Sequence, residues 1–255
     1  MTSERIWTAG LLVIGDEILS GRTQDRNIAP IGRWLNVQGI RLSEVRVVPD
    51  VIETIASAVN ALRARYEYLF TTGGIGPTHD DVTVDAIAEA LAVPVTEHPD
   101  ARAALESYYV TRGGLNPARL RMARVPQGAE LIENRHFGAP GIRVGNIFIL
   151  AGVPHIAAQM LETLDGKLEG GRPLLSRIVG SHTPESEVAE ILRAIEAEHE
   201  GCQIGSYPFF GPSGTGANFV IRSADEGALE NCQAALVEAL ERAHKEAVPG
   251  GITPS

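Results

Sequence analysis

Thr71 to Thr83 read TTGGIGPTHDDVT, and the reading of this stretch decides the fold. Before it, Tyr68 to Thr72 is a short apolar run of strand character. After it, Val84, Ile87, Ala88 and Leu91 recur at helical spacing. Three glycines, Gly73, Gly74 and Gly76, therefore sit where a strand turns into a helix. In that position their backbone N–H groups can converge on an anion, and the helix start adds a positive end. No Gly-Lys-Ser/Thr follows, so this is not a P-loop. The spacing is not the dinucleotide GxGxxG either. A tight turn without a ligand remains the plainer alternative.

Outward from this stretch the pattern repeats. Thr8 to Ile14 reads as a buried strand ending at Gly15. Ile28, Ile31 and Leu35 mark a helix that stops before Gly39. Ile40 to Val48 is a second strand, and Asp50 is a candidate N-cap for a helix carrying Ile52, Ile55, Val59 and Leu62. Strand and helix in alternation predict an α/β, three-layer α/β/α fold with a mostly parallel sheet. Ligands in such sheets bind beyond the carboxyl ends of the strands. The segments there are Gly15 to Asn27, Val48 to Asp50 and Gly73 to Thr83, all rich in Gly, Asp and Thr.

Residues 99–125 read as helical, over Ala101 to Tyr109 and Ala118 to Ala123. Gly141 to Val144 and Asn146 to Leu150 are strand candidates. A Gly-Val-Pro turn (Gly152 to Pro154) then leads to a helix through Met160 and Leu164. Asp165 to Pro173 is a linker signal. Beyond it, a strand (Ser176 to Ser181), a helix (Val188 to Ile195), two strands (Gln203 to Tyr207, Ala217 to Arg222) and a helix (Leu229 to Leu240) predict a small C-terminal α+β subdomain. The expected division is 1–170 for the main domain, 171–250 for the annex and 251–255 for a frayed tail. Tyr207, Phe209 and Phe210 are expected to fill the annex core.

Composition narrows the function classes. The chain has 255 residues, 44% hydrophobic and 21% charged. That is ordinary globular usage. The net charge of −10 and a pI of about 5.2 argue against nucleic acid and against an anionic membrane as partners. Small phosphorylated ligands stay open. Cys202 and Cys232, far apart and without a CxxC pattern, read as buried free thiols of a reducing compartment. The N-terminal stretch lacks a leader of signal length and no run of roughly 18 apolar residues occurs. The expected location is the cytoplasm.

Asp80 and Asp81 stand at a helix start, where acids also serve as caps and dipole partners. With Asp50 at the end of another strand, they face one crevice if the strands are neighbours. Carboxylates beside a phosphate loop repel the phosphate, and a divalent cation held by Asp50, Asp80 and Asp81 resolves that conflict. In Gly15 to Asn27, the residues Asp16, Glu17, Ser20, Thr23 and Asn27 can bond sugar hydroxyls or a heterocycle. Alternatively, Asn27 caps a helix and Glu17 is simply solvated. Phe137 to Gly141 can rim a pocket, and Gly152 to Pro154 can present amides to a phosphate. Both also read as ordinary turns. His79, inside the glycine loop, is the histidine best placed to act near neutral pH.

The stretches Ile14 to Asn27 (IGDEILSGRTQDRN), Val47 to Asp50 (VVPD) and Gly73 to Thr83 (GGIGPTHDDVT) resemble the molybdopterin-binding (MoaB/Mog-type) domain superfamily. Within it, the sequence is most similar to the branch found at the N-terminus of competence/damage-inducible (CinA-type) proteins and of eukaryotic FAD synthases. GAPG (Gly138 to Gly141), GVP (Gly152 to Pro154) and GSYP (Gly205 to Pro208) carry weaker matches, so the resemblance spans nearly the whole chain. It implies a pocket for a phosphate-bearing pterin or nucleotide. By this resemblance Asp50 and Asp81 match aspartates required for adenylylating molybdopterin. In the CinA-type branch the domain is similar to a pyrophosphatase acting on ADP-ribose or FAD, with a divalent ion (Mg²⁺, Mn²⁺ or Co²⁺) and K⁺ as cofactors. The expected ligand- or phosphate-binding set is Gly73, Gly74, Gly76, Thr78, Thr83, Gly15, Glu17, Asn27, Gly141, Gly152 and Pro154. Family members are commonly oligomeric, so a homo-oligomer is expected. Ala151 replaces the proline of many relatives before the Gly-Val-Pro turn, which slightly weakens that loop. Neither a deamidase nor an FAD-synthesising domain is read in the sequence, so the expectation is that this chain alone neither deamidates nicotinamide mononucleotide nor makes FAD.

Three functional readings follow. The first is hydrolysis of the pyrophosphate of ADP-ribose or a similar dinucleotide to AMP. The second is adenylyl transfer or insertion chemistry in molybdenum-cofactor synthesis. The third is a non-catalytic nucleotide- or pterin-binding module. Fold likeness alone does not choose among them.

Overall fold

A computed structural model describes residues 5–134, 137–211 and 214–253. The chain divides into two compact units, residues 1–171 and 172–255.

The first unit begins with β1 (Trp7–Ile14), a short helical turn α1 (Asp16–Leu19), α2 (Ile28–Val37), β2 (Ile40–Val48), α3 (Ile52–Arg65), β3 (Tyr68–Thr72) and α4 (Thr83–Leu91). It continues with β4 (Val95–Glu97), α5 (Pro99–Tyr109), α6 (Pro117–Leu120), β5 (Arg124–Pro126), β6 (Glu130–Ile132), β7 (Gly141–Val144), β8 (Ile147–Leu150) and α7 (Pro154–Glu162). The main sheet runs β2-β1-β3-β8-β7-β6. The pairs β1–β2, β1–β3 and β3–β8 are parallel, whereas β7 and β6 are antiparallel additions.

The central strands β1, β3 and β8 are almost wholly buried because both sheet faces are covered there. Alternate residues serve opposite cores. Leu11, Phe70 and Phe148 pack with Ile31 and Leu35 of α2 and Met160 of α7. Leu12, Leu69 and Ile149 pack with Ile55, Val59 and Leu62 of α3 and Ile87 of α4. On one face the Phe70 and Phe148 rings stack at 4.9 Å. The result is the three-layer α/β/α arrangement expected from sequence. The connections from β1 to β2 and from β1's other neighbour β3 onward leave in opposite directions, so the sheet has its switch point at β1 and β3, where a crevice opens.

Three short strands were not legible: β4 and β5, which pair with each other, and β6 at the sheet edge. Asp50 is not the cap of α3. Val51 holds that position and no side chain bonds there, because the Asp50 carboxylate is engaged elsewhere. Asn27 holds the N-cap position of α2, but its side chain makes no cap bond; Asp25 Oδ1 accepts the N–H groups of Asn27 at 3.1 Å and Ile28 at 2.8 Å instead.

At the amino end of β2, Gly39 meets Gly171. The Gly171 N–H donates to the Gly39 carbonyl at 3.0 Å. Gly39 has φ +71°, and a Cβ there would lie 1.9 Å from the Gly171 oxygen. No other residue fits this approach.

The second unit contains β9 (Leu175–Ser181), α8 (Ala189–Glu198), β10 (Gln203–Gly211), β11 (Gly214–Ser223), α9 (Glu226–Arg242) and β12 (Val248–Pro249). Its antiparallel sheet runs β10-β11-β9-β12. Phe219, Leu229, Cys232 and Leu236 centre its core, and Cys202 and Cys232 are free and buried. Of the three aromatics expected in that core only Phe209 is buried. Tyr207 is 48% exposed and Phe210 76%: Phe210 alternates to the face of β10 opposite Phe209, whereas Tyr207 shares Phe209's face and its hydroxyl accepts from the Arg222 guanidinium. The tail is not frayed where it is described: β12 pairs with β9, and Asn218 holds Ile252 through two 2.8 Å bonds, one to its N–H and one to its carbonyl. Residues 254 and 255 lie outside the described set. Among the described residues no helix is long and apolar enough to cross a membrane.

Candidate functional site

Four strand ends deliver four loops to one place. Gly15 follows β1, Asp50 follows β2, Gly73 follows β3 and Gly152 follows β8. The loops interlock through close backbone contact. A Cβ on Gly73 (φ +103°) would lie 2.1 Å from the Ile14 carbonyl oxygen, and one on Gly152 would lie 3.1 Å from Gly73 Cα. Asn27 Nδ2 donates to the Gly152 carbonyl at 2.8 Å, which ties the loop after β1 to the loop after β8.

These loops surround a cavity of about 690 Å³. That lies in the range that houses cofactor-sized ligands. Of the residues predicted from sequence, Gly15, Glu17, Asn27, Asp50, Gly73, Gly74, Gly76, Asp80, Asp81, Gly152 and Pro154 line it. Phe137 and Ala139 of the predicted rim also line it. Sequence reasoning missed the apolar wall formed by Ile18, Ile75, Met122, Ile156 and Met160. Met160 lies on α7, whose periodicity marks it as core, and Met122 in the single 3-10 turn (Arg121–Ala123) after α6, so nothing in the sequence separates pocket wall from core there.

Three residues of the predicted ligand-binding set do not line the cavity, and neither do Asp16, Ser20 and Thr23 of the loop after β1. Thr83 is fully buried beneath the loop, and its hydroxyl donates to the Gly73 carbonyl at 2.9 Å. It shapes the glycine turn rather than meeting a ligand. Gly141 is a buried residue of β7, where a Cβ would crowd Ile149, Met160 and Ile132. Thr78 lies off the cavity wall and braces Asp81: its N–H donates to Asp81 Oδ2 at 2.8 Å and its hydroxyl donates to the same oxygen. Thr78 and the local backbone also hold Asp80 below its usual carboxylate range. The His79 side chain is fully exposed and lies outside the cavity lining.

Asp50 and Asp81 flank the turn. Asp50 Oδ1 lies 3.5 Å from where a Gly74 Cβ would stand, and Asp81 Oδ2 lies 2.7 Å from where a Gly76 Cβ would stand. The other Asp50 oxygen, Oδ2, accepts the Asp16 N–H at 2.9 Å. Burial pushes the Asp50 carboxyl above its ordinary value. The Asp16 N–H pulls it back in part, and the negative charges of Asp16, Glu17 and Asp80 push it up again. Burial first, and like charge second, thus disfavour the ionised form of Asp50 at the acidic end of the cavity.

Among the described residues, no three His, Cys, Asp or Glu side chains converge closely enough to hold a metal ion alone. Asp50, Asp80 and Asp81 thus do not form a closed cage: Asp81 is turned to Thr78, and the Asp80 side chain is 67% exposed. The donor set does suit a hard cation of the Mg²⁺ type, which takes one or two carboxylates and completes its shell with phosphate oxygens and water.

Comparison with known proteins agrees with this architecture. The family described as "Probable molybdopterin binding domain" matches residues 10–169, and "FAD synthase, middle domain" matches residues 173–248. A CinA-like protein of Desulfosudis oleivorans is 35% identical over 209 residues, which is 77% of this chain and 51% of that protein. This chain thus spans about half the length of that relative. A protein of Thermococcus kodakarensis is 36% identical over 238 residues, covering 87% of this chain and 93% of its own. The crystal structure of CinA from Thermoplasma acidophilum, described as of unknown function, superposes with a TM-score of 0.59 at 32% identity, over 64% of this chain and 98% of its own. By motif, sheet order and these matches, the chain belongs to the molybdopterin-binding-domain superfamily, in its CinA-type branch.

Proposed function

We propose that this chain hydrolyses the pyrophosphate linkage of an ADP-ribose- or FAD-like dinucleotide, giving AMP and a second phosphate ester. The observation that carries the reading is the placement of Asp50 and Asp81 on either side of the Gly74–Gly76 turn, in one cavity of about 690 Å³.

The chain's own groups have defined parts. Backbone N–H groups of Gly73, Gly74 and Gly76 bind phosphate oxygens at the start of α4, whose dipole favours the negative charge. The Gly152 to Pro154 turn, at the start of α7, offers the same chemistry from the opposite wall. Asp50 Oδ2 is committed to the Asp16 N–H, so Oδ1 is the oxygen left to accept a proton from the attacking water. The water oxygen bonds to phosphorus, the bridging P–O bond breaks, and the departing phosphate keeps the electron pair. Asp81, with the negative charge of Asp50 beside it, would hold the divalent ion, which would supply charge neutralisation on the phosphate oxygens. The apolar wall of Ile18, Ile75 and Ile156 suits the face of a base.

The test is incubation with ADP-ribose, FAD and ATP separately across Mg²⁺, Mn²⁺ and Co²⁺, with and without K⁺, while AMP is followed chromatographically. AMP released from ADP-ribose or FAD by the wild type, and lost in Asp81→Asn with little loss of stability, supports the reading. Equal loss of activity and stability, or no AMP under any ion, overturns it. The family match over residues 10–169 then favours pterin binding, read out as molybdopterin retained on the protein.

A further inference from the structure

The main cavity does not end at the loop after β1. It runs on into a second hollow of about 410 Å³, and Glu17, Asp25, Asn27 and Gly152 line both. The new walls bring Arg22 and Arg26. Two arginines thus line one end of the combined cavity, together with Glu17 and Asp25, in a chain of net charge −10.

The nearby carboxylates do not neutralise them. Asp25 Oδ1 is occupied by the N–H groups of Asn27 and Ile28. The Glu17 carboxylate folds back on its own turn, with Oε2 only 2.7 Å from where a Gly15 Cβ would stand. Among the described residues, Arg22 and Arg26 make no ion pair and no hydrogen bond, unlike Arg46, Arg102 or Arg124, which are paired. The turn that carries them is braced. Ser20 N–H donates to the Asp16 carbonyl at 2.9 Å and Thr23 N–H to the Glu17 carbonyl at 3.0 Å, while Asn27 is anchored on Gly152. A braced turn loses little freedom when its side chains close on a ligand.

We propose that this hollow is an anion subsite in which Arg22 and Arg26 hold a phosphomonoester carried by the ligand in addition to its pyrophosphate. The guanidinium fork matches phosphate oxygens in pairs. The preferred ligands are then nucleoside-diphosphate derivatives bearing a further phosphate. The inference rests on the reading that the main cavity takes a dinucleotide.

The test separates the two. Calorimetric titration with ADP-ribose, ADP-ribose 1″-phosphate and ADP-ribose 2′-phosphate, with Ca²⁺ present, compares wild type with the double variant Arg22→Gln/Arg26→Gln. Both arginines are exposed, so the fold tolerates the change. The expected result is that at least one phosphorylated ligand binds the wild type about tenfold more tightly than ADP-ribose, and that the double variant loses this preference while keeping its affinity for ADP-ribose. Equal affinity of all three ligands for the wild type, or a preference that survives in the double variant, overturns the subsite. AMP release without phosphate preference leaves the hydrolase reading standing and the subsite refuted. Phosphate preference without AMP release does the reverse.

Discussion

Asp16 and Asp50 are joined by one hydrogen bond, from the Asp16 N–H to Asp50 Oδ2 at 2.9 Å. It fastens the end of β2 to the start of α1 and so fixes which oxygen of Asp50 looks into the cavity. The same contact explains why an aspartate just before a helix is not its cap.

Replacement of Asp50 by Asn separates catalysis from stability. The amide oxygen still accepts the Asp16 N–H, so the loop is retained. Because folding raises the Asp50 pKa, its ionised form costs stability above the folded value, and the cost vanishes as pH falls below the ordinary value of 3.8. At pH 7, Asp50→Asn is expected to melt at or above the wild-type temperature, with the gap closing near the acid end. AMP release falls by about 10²-fold or more. Thermal melts across pH, beside the turnover assay, check both halves. A lower melting temperature at pH 7 would contradict the burial argument.

Divalent ions are expected to stabilise the protein. An ion present at about 100 times its Kd adds about 2.7 kcal/mol. Mn²⁺ should therefore raise the melting temperature of the wild type, less so in Asp50→Asn and Asp81→Asn. Asp80→Asn, whose side chain is two-thirds exposed, should keep most of the shift. A wild-type melt indifferent to Mn²⁺, Mg²⁺ and Co²⁺ would remove the metal from the scheme.

The glycine turn is sterically closed. Gly74 has φ +65°, and a Cβ there would meet Thr83 Oγ1 at 2.3 Å. Gly21 has a similar φ of +70° with nothing within 4 Å. Gly21→Ala is expected to cost about 1–2 kcal/mol, the left-handed backbone penalty alone. Gly74→Ala should cost about 3 kcal/mol or more, since strain and overlap combine. Urea unfolding midpoints of the pair decide it.

Thr83 offers a test of the turn from beneath. Thr83→Val keeps the volume but leaves the buried Gly73 carbonyl without its donor. The expected loss is about 1–3 kcal/mol, together with weaker nucleotide binding. Thr83→Ser restores the hydroxyl and should recover most of both. Wild-type stability in the Val variant would show that the bond is dispensable.

The fold was largely legible because β1, β3 and β8 are unbroken apolar runs and the intervening helices carry clear stripes. Those signals come from burial on both sheet faces, which sequence periodicity records. What escaped it was short or tertiary. The strands β4, β5 and β6 have three residues each, too few for an alternation to show. Thr83 and Gly141 belong to motifs that look ligand-facing, and only the packing of α4 and β7 turns them inward. Asp50 reads as a cap because Asp before a helix has that look, and the nearby amide of Asp16 is remote in sequence. Arg22 and Arg26 sit in a polar loop without period, so their shared hollow appears only once Asn27 is tied to Gly152. The acidic pair and the glycines were legible for the opposite reason: their chemistry is local to one turn.

The seam between Gly39 and Gly171 has an architectural consequence. The polypeptide leaves the first unit beside the amino ends of the strands, whereas the main chamber opens at the carboxyl ends. Exit and chamber therefore occupy opposite poles of one sheet. Whatever is spliced on after Gly171 can be exchanged or lengthened without its tether crossing the chamber mouth. A module plugged in by its far pole is free to travel between polypeptides of different make-up, provided two glycines survive at the socket.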